Sequence, residues 1–308
     1  MKKKIIRANQ LGFVPGNRTS DAHIIINNLV NKLCHKGDKK LFSCFVDFRK
    51  AFDLVPRDIL LKKLLKYGIN GKFFNIIRNI YTNDRASVKL DGKCSTPFNV
   101  NIGVRQGCIL SPLLFNIFLA DLAESLQEIK SPAIQNVNSI FWADDLVMFS
   151  DSESGLQHML SLLQTYSKEN YLTVNTKKTK CMIFNKNGRL LLRPFYLNDV
   201  RLECVRVYKY LGFMITPSGE ISTGLRDLRD RAFRAFMKIR RDLGPNFNQD
   251  IPLILSLIDS LVKPILLYAC DFWGCFKLHN SNHIDTFYIS MLKQILGVQR
   301  QTANDGVL

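Results

Sequence analysis

Ile140-Phe141-Trp142-Ala143-Asp144-Asp145-Leu146-Val147-Met148-Phe149 sets two adjacent carboxylates inside an apolar, β-prone run. Such a run reads as two short buried strands with the acids at the tip of a hairpin. A second stretch, Leu41-Phe42-Ser43-Cys44-Phe45-Val46-Asp47-Phe48, is also mostly apolar and also carries an acid, Asp47. A carboxylate in such a setting is costly unless a cation or a partner meets it. Asp47 lies 97 positions before Asp144 (144 − 47), so only a fold brings the acids together. Three converging carboxylates repel one another. Divalent metal ions remove that repulsion, and a pair of them is suited to phosphoryl transfer.

Outward from these stretches the chain alternates helix and strand signals. Ser20-Asp21 caps a helix expected to run to about Cys34. Pro56 opens an amphipathic helix through Ile59, Leu60, Lys63, Leu64 and Tyr67, ended by Gly68, and a second helix covers Phe73 to Tyr81. Asp91-Gly92 predicts a tight hairpin. Pro112 starts one long helix expected to reach about Ile129, and Leu156 to Tyr166 is helical again. Short strands follow at Lys180–Phe184, Arg201–Val205 and Tyr208–Ile215. After Pro217 the pattern is helical as far as Leu296, with breaks at Gly244-Pro245 and near Pro264. Strands early and helices late imply an α+β body over residues 1–216 and a helical part over 217–308.

Charge points to a partner. The 308 residues carry 43 basic and 26 acidic side chains, a net +17, and phosphate backbones are the commonest match for such a field. From Leu225 to Leu243 an apolar stripe alternates with seven basic and three acidic residues, which fits either nucleic-acid contact or a solvated face with internal Asp–Arg pairs. The eight cysteines include no Cys-x-x-Cys pair and read as buried thiols of a reducing compartment. Cys270, Cys275, His279 and His283 are spaced too tightly for a zinc finger, and packing explains them better. Lys2-Lys3-Lys4 leads into no secretory core, and the apolar stretch Ile251–Phe276 is interrupted by charges. A nuclear or cytoplasmic protein, neither secreted nor membrane-bound, is expected; oligomeric state is not legible.

The order of five tracts resembles a reverse transcriptase, specifically those of non-LTR, LINE-type retrotransposons. These are the Asp47 tract, Arg105-Gln106-Gly107-Cys108-Ile109-Leu110-Ser111-Pro112, Ala143-Asp144-Asp145, Lys178-Thr179-Lys180 and Tyr210-Leu211-Gly212-Phe213. Gln10-Leu11-Gly12-Phe13 and the tail Tyr268 to Trp273 extend the likeness over nearly the whole chain. The resemblance implies a right-hand polymerase: a palm of antiparallel sheet with packed helices, partial fingers and a thumb-like helical C-terminal part. It implies RNA-directed DNA synthesis on a primer 3′-hydroxyl, with RNA template, DNA primer and dNTPs as partners and no membrane.

The same resemblance distributes roles. Asp47, Asp144 and Asp145, with the backbone carbonyl of Phe48, would hold two Mg²⁺ ions, with Mn²⁺ as a substitute. Phe52, beside Ala51, would exclude a 2′-hydroxyl, though it also reads as a core aromatic. Gln106 and Gly107 would lie beside the nascent base pair, or merely form the loop leading into a helix. Lys178 would serve the leaving pyrophosphate, or be one of a solvated basic cluster. Arg105, Trp142 and the Tyr210-Leu211-Gly212 turn would hold primer and template, the turn also fitting an edge hairpin. Asp53 reads as a turn residue. Trp142 replaces the usual Tyr or Phe, Val14 an expected Arg, and upstream finger strands are not in evidence, so the chain reads as truncated at both ends. The alternative is a catalytically inactive nucleic-acid-binding remnant.

Overall fold

The computed structural model describes residues 5–129, 131–134, 137–247, 249–275 and 282–306. It divides into two compact units, one of residues 1–18 and 29–205 and the other of residues 19–28 and 206–308. The division falls at 205/206 rather than the expected 216/217, and helix α1 (Thr19–Val30) contributes most of its length to the second unit. Beyond Val30 the expected helix gives way to a π-helical turn, Asn31–His35.

The first unit is built on a five-stranded sheet. Its members are β1 (Leu41–Val46), β6 (Ser139–Trp142), β7 (Asp145–Ser150), β8 (Lys180–Phe184) and β11 (Glu203–Cys204), in the order β11-β8-β1-β7-β6. All pairs are antiparallel except β11 with β8. β1 is central and buried at all six positions, which is why it lacks polar alternation. Helices α2 (Arg57–Lys66), α3 (Gly71–Thr82), α4 (Leu110–Phe118), α5 (Ala120–Glu128) and α6 (Glu153–Glu169) supply its core. Leu60, Leu64, Phe115, Phe118, Leu122, Leu160 and Leu163 pack with Cys44, Val46, Leu146, Met148 and Ile183 of one sheet face. Between α3 and α4 lie two small hairpins, β2 (Arg85–Ala86) with β5 (Phe98–Asn99) and β3 (Lys89–Leu90) with β4 (Lys93–Cys94). Asp91 and Gly92 both take positive φ, as a primed turn requires. A third small hairpin, β9 (Tyr196–Leu197) with β10 (Val200–Arg201), leads into β11.

The single helix expected from Pro112 to Ile129 is in fact two. The Phe118 carbonyl, which would accept from Leu122 in a continuous helix, instead accepts from Lys63 Nζ (2.8 Å) and Tyr166 Oη (2.8 Å). The Leu122 amide turns to Asp121 Oδ1 at 3.1 Å. Lys63, on the stripe expected to be buried, also bonds Asp121 and the Tyr166 hydroxyl, so the break is held from two other helices.

The second unit carries the hairpin β12 (Tyr208–Tyr210) and β13 (Phe213–Ile215), followed by α7 (Ser222–Leu243), α8 (Ile251–Leu261), α9 (Lys263–Leu266), α10 (Cys270–Trp273) and α11 (Asn282–Ile295). The expected stripe of α7 is its buried face: Leu225, Leu228, Ala232, Phe236 and Ile239 join the unit's core. Arg231 pairs with Asp227 one turn back, an internal Asp–Arg pair of the half-buried flank. His279 lies outside the described residues. No described helix is long and apolar enough to cross a membrane.

Candidate active site

The register of β1 against β7 decides where the acids fall. Phe45 pairs with Val147 and Val46 with Leu146. One step further along the same register sets Asp47 against Asp145. Across the hairpin Trp142 pairs with Asp145, leaving Ala143 and Asp144 as the two-residue turn. Ala143 has φ of 56°, the strained position of that turn. The three acids of the sequence reading therefore share one end of the sheet, with half-buried Trp142 beside them.

Their electrostatics show crowding without relief. Burial pushes Asp145 up to about 6, with Asp144 and Asp47 adding like-charge repulsion. Asp144 is raised by burial too, and by Asp47, against a hydrogen bond to its own backbone amide that lowers it. Carboxylate oxygens are the donors a hard cation takes, and a cation would relieve this repulsion. Among the described residues no three His, Cys, Asp or Glu side chains already form a closed metal-holding group. The donor chemistry fits a divalent ion.

The backbone frame is firm. The Asn175 amide donates to the Asp47 carbonyl (2.8 Å) and the Arg49 amide to the Thr173 carbonyl (2.8 Å), bridging Phe48 to Val174. This pattern leaves the Phe48 carbonyl out of the ladder. The Asp47 amide donates to buried Thr179 Oγ1 at 3.2 Å. Lys178, next in line, is exposed.

Residues 9–12 close the outer side of the hairpin, which the sequence reading did not anticipate. The amides of Leu11 and Gly12 donate to the Phe141 carbonyl (2.8 and 3.2 Å), and the Phe141 amide donates to the Asn9 carbonyl (2.8 Å). Gly12 lies so close that a Cβ there would meet the Ala143 nitrogen at 2.3 Å. Asn116 of α4 fastens this strip, donating to the Gly12 carbonyl (2.8 Å) and accepting from Gln10 Nε2 at its own carbonyl (2.7 Å). Its neighbour Phe115 stacks on Phe52, ring centroids 4.5 Å apart. Two consecutive residues of α4 thus brace the acidic turn and the Phe52 turn. A lone Asn in Leu-Ser-Pro-Leu-Leu-Phe-Asn-Ile-Phe was the available signal.

A second cluster surrounds Phe52 and the loop before α4. Ala51 is buried and Phe52 half-buried. Val104 donates to the Phe52 carbonyl (2.8 Å) and Gly103 to the Val55 carbonyl (2.9 Å). Gln106 and Gly107 are exposed, and Gly107 has φ of 78°. Arg105, expected to meet nucleic acid, is bonded to Asp84, Nε to Oδ1 at 2.9 Å. Asp84 also receives Arg57 NH2 at 2.7 Å. Burial alone would raise Asp84, but hydrogen bonds and charge from Arg105 and Arg57 outweigh it and hold the carboxyl below the usual range.

Tyr210, Leu211 and Gly212 belong to the second unit, where the turn is bolted down. Tyr268 Oη donates to the Leu211 carbonyl (2.6 Å) and Arg231 NH2 to the Gly212 carbonyl (2.8 Å). Buried His23 packs edge-on to Tyr210 and beside Phe213 and Phe272.

An antiparallel sheet backed by helices, with acids on a hairpin tip opposite a third acid, defines a right-hand polymerase palm. Residues 1–215 match the family described as reverse transcriptase (RNA-dependent DNA polymerase), and the chain belongs to that family. The likeness to non-LTR retrotransposon enzymes is borne out by its relatives. A probable RNA-directed DNA polymerase from transposon BS of Drosophila melanogaster is 25% identical over 96% of this chain and 33% of its own length. The RNA-directed DNA polymerase from mobile element jockey of Drosophila funebris is 25% identical over 88% of this chain and 30% of its own. The chain thus spans about a third of the length of these relatives. Among solved structures, a Candida tropicalis telomerase in complex with a TWJ fragment of telomeric RNA shares the fold. Its TM-score is 0.54 at 11% identity, over 95% of this chain and 48% of that one.

Proposed function

We propose that this chain is an RNA-directed DNA polymerase module that adds dNTPs to a primer 3′-hydroxyl on an RNA template. The observation that carries the reading is the meeting of Asp47, Asp144 and Asp145 at one sheet end, where burial and mutual repulsion raise the hairpin pair. In this reading the three carboxylates, with the Phe48 carbonyl, hold two divalent ions, Mg²⁺ or Mn²⁺. When bound, such a pair supplies charge neutralisation at the attacking and leaving oxygens of an in-line phosphoryl transfer. The protein's own part is placement. Phe52, backed by Phe115 and by Ala51, offers a ring edge against the sugar, where bulk disfavours a 2′-hydroxyl. Gln106 and Gly107 face the base pair, and exposed Lys178 serves the departing pyrophosphate. Trp142 and the Tyr210-Leu211-Gly212 turn serve the primer. Arg105 acts through the loop it anchors to Asp84 rather than as a free cation.

Primer extension tests this: full chain, RNA template, dNTPs and Mg²⁺, with Asp144→Asn alongside. The expected result is extension by the wild type and a loss of at least about 1,000-fold in the variant, with RNA affinity retained. Equal extension by both removes Asp144 from the site. No extension by the wild type, with salt-sensitive RNA binding kept, leaves a binding module only.

A further inference from the structure

The turn after β1 and the loop before α4 are joined by hydrogen bonds of two kinds. One kind holds the loop backbone: Val104 N–H to the Phe52 carbonyl (2.8 Å), Gly103 N–H to the Val55 carbonyl (2.9 Å), Arg57 Nε to the Gly103 carbonyl (2.8 Å) and Arg57 NH1 to the Val100 carbonyl. They keep the loop in place whatever residue stands at 53. The other kind joins two exposed side chains, Gln106 Nε2 to Asp53 Oδ1 at 2.6 Å. The approach is close by construction, since a Cβ on Gly103 would meet the Asp53 carbonyl at 2.5 Å. Asp53 was expected to be a turn residue. Its carboxylate instead crosses to the loop.

The chemistry of the pair sets a direction. A carboxylate only accepts hydrogen bonds, whereas a glutamine amide has a donating nitrogen and an accepting oxygen. The two ends look alike in electron count, so orientation is ordinarily ambiguous. Here the partner admits the nitrogen alone. We propose that Asp53 is a positioning residue that pins the Gln106 amide with its nitrogen inward, so that Oε1 is the atom offered to the incoming nucleotide and its template partner. The inference rests on the polymerase reading above for the identity of what Oε1 meets. It adds that the loop presents an acceptor there, and hence selects a donor group on the substrate.

Single-nucleotide extension kinetics test it with Asp53→Asn, Asp53→Ala, Gln106→Glu and the exchanged pair Asp53→Asn/Gln106→Glu. Losing one hydrogen bond at an exposed site is expected to raise the KM for dNTP about 2- to 10-fold in Asp53→Ala, with kcat within about 2-fold. Asp53→Asn falls between, because an amide partner accepts either orientation of Gln106. Gln106→Glu sets two carboxylates against each other and is expected to be worse than Asp53→Ala. In the exchanged pair the amide introduced at position 53 donates to the carboxylate introduced at position 106. That carboxylate still presents an acceptor oxygen, so KM recovers by at least about 3-fold over Gln106→Glu alone. A purely structural role for Asp53 gives no such recovery. An Asp53→Ala enzyme with wild-type KM, or an exchanged pair no better than Gln106→Glu, overturns the proposal. The side-chain amide resonance of Gln106 in glutamine-labelled protein reads the pairing without any turnover. It is expected to shift in Asp53→Ala, and an unmoved resonance overturns the pairing. Failure of the wild type to extend a primer overturns the polymerase reading and the substrate half of this one, while the resonance still decides the pairing.

Discussion

Two groups of acid in the same unit are handled in opposite ways. Asp84, 8% exposed, is met by Arg57 on one oxygen and Arg105 on the other, and its carboxyl is held low. Asp144 and Asp145 are pushed upward by burial and by neighbouring carboxylates. The first arrangement is a finished joint. It ties α3, the small hairpins and the Arg105 loop through Arg57, which also bonds the carbonyls of Tyr81, Val100 and Gly103. The second has no cationic partner of this kind among the described residues to lower it, and in the proposed reading a divalent ion supplies one. In that reading stability and chemistry draw on the same residue type and differ in who supplies the cation.

Breaking the joint should have the largest effect. Arg57→Ala leaves Asp84 buried with only half its partners and is expected to cost about 3–5 kcal/mol in chemical denaturation. A cost under about 1 kcal/mol would make the two groups alike after all. The opposite sign is expected at the site. Asp145→Asn, without metal at pH 7, should stabilise the fold by on the order of 1–2 kcal/mol, while primer extension is lost. A destabilised variant would mean that the acid is paired after all.

The pH dependence sharpens the contrast with a smaller effect. Asp145 keeps its proton in the folded state up to about 6, whereas the unfolded chain releases it near the ordinary carboxylate value. Metal-free stability therefore declines as pH rises from about 4 to about 6 on account of this residue. Asp84 works the other way: its folded value is lowered, so its contribution fades as pH falls through the usual carboxylate range and below. Denaturation across pH should show the rising-pH decline flattened in Asp145→Asn and the acid-side loss reduced in Arg57→Ala. Smallest of all, saturating Mg²⁺ should raise the wild-type melting temperature by a few degrees, roughly 2–5 °C, and Asp145→Asn by less.

Much of this contrast was legible in the chain and part was not. β1, β8 and the acidic hairpin follow from local apolar runs, and the α7 stripe from its helical period, because burial imprints itself on neighbouring residues. The positions of Asp47, Asp144 and Asp145 followed from those elements. The partners did not. Gln106 reaches Asp53 across 53 positions, Arg105 reaches Asp84 across 21, and Lys63 reaches Tyr166 across 103. Nothing in the local pattern announces such pairs, so Arg105 read as a primer or template contact and Asp53 as a turn residue. The helix break at Leu119 went unseen for the same reason, being held by side chains from α2 and α6.

The strip Asn9–Gly12 has a consequence beyond catalysis. β6 is the last strand of its sheet, and this strip alone occupies the outward-facing carbonyl and amide of Phe141 among the described residues. Peeling it away would bare a short, apolar ladder edge, the kind of surface on which strands of other molecules add. Substitution at Gly12, where any side chain collides with Ala143, should therefore show itself in self-association of the protein as well as in lost synthesis. The residues that steady the acidic turn also cover the open edge of its strand.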